Sequence, residues 1–157
     1  MIPEGAAKTV LLATDEIDTD SPLIIYNSDQ YFKCDIGQMI DSHPEADGLI
    51  PYFNATHPKW SYILTDDHDI VSHIAEKEII SNKATVGLYY FRKGSDFVAA
   101  ADSMIEKKIM VANEYYVAPT YNELIADGKV ILGIPVEEMW GLGTPEDVEK
   151  FEKYYKE

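Results

Sequence analysis

The stretch PLIIYNSDQYF, residues 22–32, decides the fold. Leu23, Ile24, Ile25 and Tyr26 form an apolar run, too short for a helix and right for a strand buried on both faces. The run ends in Asn27, Ser28, Asp29 and Gln30. In open α/β sheets, ligands bind outside the carboxyl ends of the strands, so a carboxylate at Asp29 is well placed to hold a divalent cation. The same residues also suit a plain turn that caps the next element.

Working downstream, residues 35–42 read as a short helix stopped by Pro44, and 48–53 as a strand with its breakers outside or at Pro51. Residues 60–64 and 70–75 bracket a polar tip, Asp66 to Asp69, and predict a hairpin. Residues 83–91 read as one strand with Gly87 inside it, where a backbone or a ligand can come close. Ser95 N-caps a helix over 96–108, a second helix runs over 119–126 to Gly128, and 130–135 is a strand. Thr144, Pro145 and Asp147 stand at N-cap, N1 and N3 of a last helix, with Val148, Phe151 and Tyr155 on its apolar face. Upstream, 4–13 predicts a helix with Gly5 at its entrance, and Asp15 to Asp20 an acidic loop. Strands alternating with helices predict an α/β fold with some antiparallel pairing in the middle.

The 157 residues suit one domain spanning 1–157. A net charge of −15, from 28 acidic against 13 basic residues, argues against nucleic acid or an anionic membrane as partner. A phosphate-rich ligand would need a metal ion or a few well-placed cations. Cys34 is the single cysteine, so no intrachain disulfide forms. With no secretory signal and no apolar run of membrane length, the expected location is cytoplasmic. The four histidines show no metal-ligand spacing, and neither a G-x-S-x-G elbow nor a phosphate-binding glycine loop is present.

What remains is a set of separated points: Asp29 after a strand, Glu76 and Lys77 after another, Gly87 within a third, and Asn113-Glu114 before a helix. Each alone admits a structural explanation. Together they offer a metal ligand, a cation for phosphate and two carboxylates for hydroxyl groups. Such a set suits a sugar phosphate or a nucleotide sugar.

The stretches EGAAKTVLLA (4–13), PLIIYNSDQYF (22–32), HPKWSY (57–62), AEKEIISNKATVGLYYF (75–91), NEYYVAPTYNELI (113–125) and MWGLGTPEDVEKF (139–151) resemble the sugar-1-phosphate nucleotidyltransferases, the nucleotide-diphospho-sugar pyrophosphorylases. The likeness is greatest to the bacterial branch that serves surface-polysaccharide synthesis. It implies a Rossmann-like, GT-A-like mixed sheet flanked by helices. It also implies a Mg²⁺-assisted reaction that joins a nucleoside triphosphate to a sugar 1-phosphate and releases pyrophosphate. By this resemblance Gly5 and Ala6 lie near the base, Asp29 binds the metal, and Glu76 faces sugar hydroxyls. Lys77 meets the sugar phosphate, Gly87 lets the backbone approach the sugar, and Glu114 accepts a sugar hydroxyl.

The chain also departs from the family pattern. The glycine-rich G-x-G-x-R loop and its downstream lysine have no counterpart. The resemblance therefore implies an N-terminally truncated fold, the last two thirds of the family's. Gly141 stands where many members carry a second metal aspartate. A missing first βα unit would expose apolar sheet surface, which predicts a homo-oligomer or a partner chain that supplies the segment. Arg92 and Lys93 are other basic residues that could supply missing charge. The alternative reading is a non-catalytic nucleotide-sugar binding or assembly module. A GT-A glycosyltransferase would need a DxD motif, and Asp18-Thr19-Asp20 precedes the strand instead of following it.

Overall fold

The computed structural model describes residues 4–156. Helices α1 (Ala6–Leu11) and α2 (Thr14–Ile17) lead into β1 (Leu23–Tyr26), β2 (Gln30–Phe32) and α3 (Ile36–Asp41). Five strands follow: β3 (Gly48–Asn54), β4 (Ser61–Thr65), β5 (Val71–Glu76), β6 (Lys83–Thr85) and β7 (Leu88–Phe91). The chain closes with α4 (Gly94–Glu106), α5 (Thr120–Ala126), β8 (Ile131–Pro135), β9 (Met139–Gly141) and α6 (Pro145–Lys156). The main sheet runs β1-β7-β3-β6-β4-β5, with β8 beside β3, and β2 pairs β9 in a small second sheet. Only β3–β8 is parallel among the described pairings. This is a mixed α/β sheet flanked by helices, as expected, although antiparallel pairing dominates it.

Pro51 sits inside the central strand β3, where a missing N–H should break a ladder. The neighbour resolves the conflict. β7 pairs with Gly48 and Leu49, β6 takes over at Tyr52, and the two are interrupted opposite Pro51. The Pro51 carbonyl accepts from Val86 N–H at 3.1 Å, and in a strand the N–H points to the same side as the carbonyl. The lost donor therefore faces a gap. Residues 83–91 are accordingly two strands and not one, bent at Gly87, where φ is +80°.

The strand buried on both faces is β7, not β1. Tyr89 and Phe91 point into a core with Ile50, Phe97 and Tyr121, while Leu88 and Tyr90 point into a second core with Leu49 and Met39. Tyr121 stacks on Phe91 at 4.4 Å and donates to the Tyr90 carbonyl at 2.7 Å. The expectation for residues 23–26 is corrected: among the described residues β1 ends the sheet and pairs only with β7, which leaves Ile24 and Tyr26 exposed.

Other corrections are local. The expected acidic loop begins with a helical turn, α2, whose Thr14 hydroxyl donates to the Leu11 carbonyl at 2.6 Å. Helix α4 starts at Gly94 and is preceded by Lys93, not capped by Ser95. A Cβ at Gly94 would lie 1.9 Å from the Ile17 carbonyl oxygen, so glycine lets α4 begin against α2. Asp35 does cap α3, its side chain accepting from Gln38 N–H at 2.9 Å. The hairpin tip is a turn in which Asp66 Oδ1 accepts from the N–H groups of His68 and Ile70. Among the described residues no helix is long and apolar enough to cross a membrane.

Candidate active site

Three tethers bring distant segments together. Asn122 on α5 bonds both backbone groups of Ile74, at 2.9 and 2.8 Å, which docks that helix beside β5. Tyr115 N–H donates to the Glu4 carbonyl and its carbonyl accepts from Ala7 N–H, each at 2.9 Å, so the start of α1 lies against residue 115. Leu142 N–H donates to the Asp29 carbonyl at 2.7 Å, which fixes the approach to α6 beside the β1–β2 turn. These segments wall a cavity of about 350 Å³.

Glu76 ends β5 opposite Ser61, whose Oγ donates to its Oε2. Burial pushes the Glu76 carboxyl above the usual carboxylate range, against the Ser61 hydrogen bond and the Lys77 charge. Lys77 leaves the strand with φ +57°, a left-handed conformation, while its N–H still donates to the Trp60 carbonyl at 3.1 Å. Its ammonium donates to the Tyr116 hydroxyl and lies 4.7 Å from the centre of that ring. The hydrogen bond to Tyr116 is the main cause that raises its pKa, opposed by desolvation.

Asp29 lies in the turn between β1 and β2, with Oδ2 3.1 Å from where a Cβ on Gly143 would stand. At Gly87, a Cβ would fall 2.1 Å from Gln30 Oε1 and 2.8 Å from Asn27 Nδ2. Gln30 Oε1 is buried and has no hydrogen-bond partner among the described residues. Across the cavity, Lys59 lies over the Trp60 ring at 4.6 Å and pairs with Asp147 of α6 at 3.6 Å.

Of the residues that the sequence nominates, Ala6, Asp29, Glu76, Lys77 and Gly87 line this one cavity. Gly5 and Glu114 do not line it. Gly5 makes its close approach to protein backbone, since a Cβ there would lie 2.5 Å from the Tyr115 carbonyl oxygen. Glu114 is exposed and accepts from the Tyr116 hydroxyl. Arg92 and Lys93 are also outside the lining, and Lys93 is paired with Asp20 at 2.8 Å. Sequence reasoning missed Lys59, Trp60, Tyr116 and Asp147. Lys59 and Trp60 lie in the quoted HPKWSY stretch, Tyr116 stands two residues after Glu114, and Asp147 reads as a helix-start residue. Chemically, the cavity offers a carboxylate at Asp29, an ammonium at Lys77 and a largely buried carboxyl group at Glu76.

Comparison with known proteins bears on the family and the fold. The profile of the nucleotidyl transferase family matches residues 1–156. The crystal structure of the nucleoside-diphosphate-sugar pyrophosphorylase from Vibrio cholerae RC9 is similar, with a TM-score of 0.79 and 26% identity over 98% of this chain and 66% of that one. UDP-glucose pyrophosphorylase complexed with UDP-glucose matches in fold at TM-score 0.79 and 17% identity, over 99% of this chain and 64% of that one. HddC from Yersinia pseudotuberculosis matches at TM-score 0.62 and 20% identity, over 98% and 64%. No curated protein sequence matches significantly. The chain spans just under two thirds of the length of these solved structures. On the family match over residues 1–156 and the fold it shares with these pyrophosphorylases, the chain belongs to the nucleotidyl transferase family.

Proposed function

We propose that this chain carries the sugar-phosphate half of a reaction that joins a nucleoside triphosphate to a sugar 1-phosphate and releases pyrophosphate. The observation that carries the reading is the convergence of Ala6, Asp29, Glu76, Lys77 and Gly87, from separate segments, on one cavity. Lys77 meets the sugar phosphate, Glu76 accepts from sugar hydroxyls, and the bare backbone at Gly87 admits the ring. Ala6, with Gly5 before it, takes the base side; Glu114, the expected acceptor of a sugar hydroxyl, lies outside the cavity lining and acts on it only through Tyr116. The cation is Mg²⁺. Among the described residues no group of three or more metal-ligating side chains could hold a metal. A lone carboxylate at Asp29 fits Mg²⁺ and not a resident all-protein metal cage, since Mg²⁺ binds through one or two carboxylates plus substrate phosphates and keeps several waters. Asp29 would hold it, and the ion would supply neutralisation of phosphate charge. We place the activity in bacterial surface-polysaccharide synthesis in the cytoplasm, in an oligomer of this chain or with a partner chain.

A second reading, a binding or assembly module without turnover, draws on the charge of the cavity. Its cations, Lys59 and Lys77, face three carboxylates, Asp29, Glu76 and Asp147, and Lys59 is already ion-paired. Phosphoryl-type transfer rests on positioning and charge neutralisation, and losing one preorganised donor costs about 10²–10³ in rate. Pyrophosphate release with a panel of nucleoside triphosphates and sugar 1-phosphates separates the two readings. Asp29→Asn tests both: Mg²⁺-dependent nucleotide binding, measured by calorimetry, should be lost while the fold is kept. Unchanged Mg²⁺-dependent affinity in the variant would remove Asp29 from the site.

A further inference from the structure

We propose that Tyr116 is the positioning residue for Lys77: its hydroxyl holds the ammonium at the cavity wall, where a phosphate group would meet it. The proposal rests on the phosphate reading of Lys77 given above. Neither residue is held by ordinary strand geometry. Lys77 follows β5 in the left-handed region, φ +57°, so its side chain leaves the alternation of the strand. A lysine released in this way has a flexible four-carbon stem and no fixed direction. Tyr116 supplies the direction through a hydrogen bond from Nζ to its hydroxyl, which places the ammonium at the edge of the ring, 4.7 Å from its centre.

The donors run one way. The Lys77 ammonium donates to the Tyr116 oxygen, and the Tyr116 O–H donates to Glu114 Oε2. With its proton committed to a carboxylate, the phenol oxygen faces the ammonium purely as an acceptor. Polarisation along such a chain strengthens each bond.

Tyr116 is itself held on both sides. Before it, a tight turn joins Val111 and Glu114 by two backbone hydrogen bonds at 3.0 and 2.9 Å, with Ala112 and Asn113 both left-handed at φ +49° and +63°. Next to it, Tyr115 is buried and clamped to the start of α1. The support for Lys77 is therefore a stiff turn from a distant part of the chain. The upward shift of the Lys77 pKa, caused first by Tyr116, agrees with this arrangement.

The test is Tyr116→Phe in the full chain, which keeps the ring and removes the hydroxyl. Acetylation of Lys77 by an N-hydroxysuccinimide ester, followed by peptide mass spectrometry from pH 7 to 10, reads the state of the amine. The variant should react at least threefold faster at pH 8, with its profile displaced to lower pH, and should bind glucose 1-phosphate about tenfold more weakly. An unchanged acetylation profile in the folded variant overturns the proposal. If Tyr116→Phe does not fold, Glu114→Gln serves instead: it keeps the hydroxyl and should shift the profile the same way by a smaller amount, and no shift again overturns the proposal. Lys77→Ala separates this inference from the reading beneath it. Wild-type affinity for glucose 1-phosphate in that variant removes the phosphate role of Lys77, while the acetylation profiles still decide whether Tyr116 holds it.

Discussion

At the scale of the residue, Gly87 meets two demands at once. Its φ of +80° favours glycine, and its missing side chain makes room for the Gln30 amide 2.1 Å from where a Cβ would stand. Gly87→Ala must strain the backbone and displace Gln30 together. We expect a loss of about 1–3 kcal/mol in denaturant unfolding, with weaker binding of any ligand that uses the cavity floor. Unfolding at the wild-type midpoint would show that the β6–β7 bend tolerates a side chain. Such residues were legible in the sequence because each interrupts a pattern: a carboxylate ends an apolar run at Asp29, a charged pair ends a strand at Glu76 and Lys77, and a glycine breaks a strand. Lys59 and Asp147 were not legible, because their meaning lies in an ion pair between distant segments.

At the scale of the element, Glu123, in the middle of α5, joins that helix to the C-terminal end of α4. Its carboxylate accepts from Lys107 Nζ at 2.5 Å and from Ser103 Oγ at 2.7 Å. Lys107 first, and then Ser103, hold its pKa below the usual carboxylate range. A depressed folded pKa stabilises the fold above the unfolded value of about 4.3. That contribution is lost as pH falls through this value towards the lower, folded one. Glu123→Gln should therefore cost about 0.5–1 kcal/mol at pH 7, and the difference should shrink as the pH falls below the unfolded value. Urea titrations above and below that value check it, and a constant difference would mean that the pair acts through packing alone. Most elements were legible from periodicity and capping: Asp35, Thr144 and Gly128 mark real helix boundaries. The misreading of β1 has a clear cause. Four apolar residues look the same in a central strand and in an edge strand, and only the pairing of distant strands decides between them. LIIY therefore became an edge, and LYYF the strand buried on both sides.

At the scale of the whole molecule, alternating strands and helices correctly predicted the mixed α/β class. They did not predict how much of the sheet would be antiparallel, because crossover order is not written in local sequence. The edge strand β1 leaves Ile24 44% and Tyr26 48% exposed, and Leu12 near it in sequence is 78% exposed. An apolar edge of this kind is a template for pairing. We expect light scattering to give a mass above the 17.7 kDa of one chain, reduced by Ile24→Lys. A wild-type monomer at about 100 μM, a concentration at which specific interfaces normally assemble, would argue against association through β1. The aromatic side chains have an optical consequence. Of the two tryptophans, Trp60 forms part of the cavity wall, edge-on to Phe53. Trp140 is set apart among the rings of α6, beside Phe151 and Tyr154. Replacing Trp140 with Phe would leave one tryptophan, and its emission, excited apart from the eleven tyrosines, would move to shorter wavelength as a ligand expels water from the cavity, giving a binding signal that requires neither turnover nor a label.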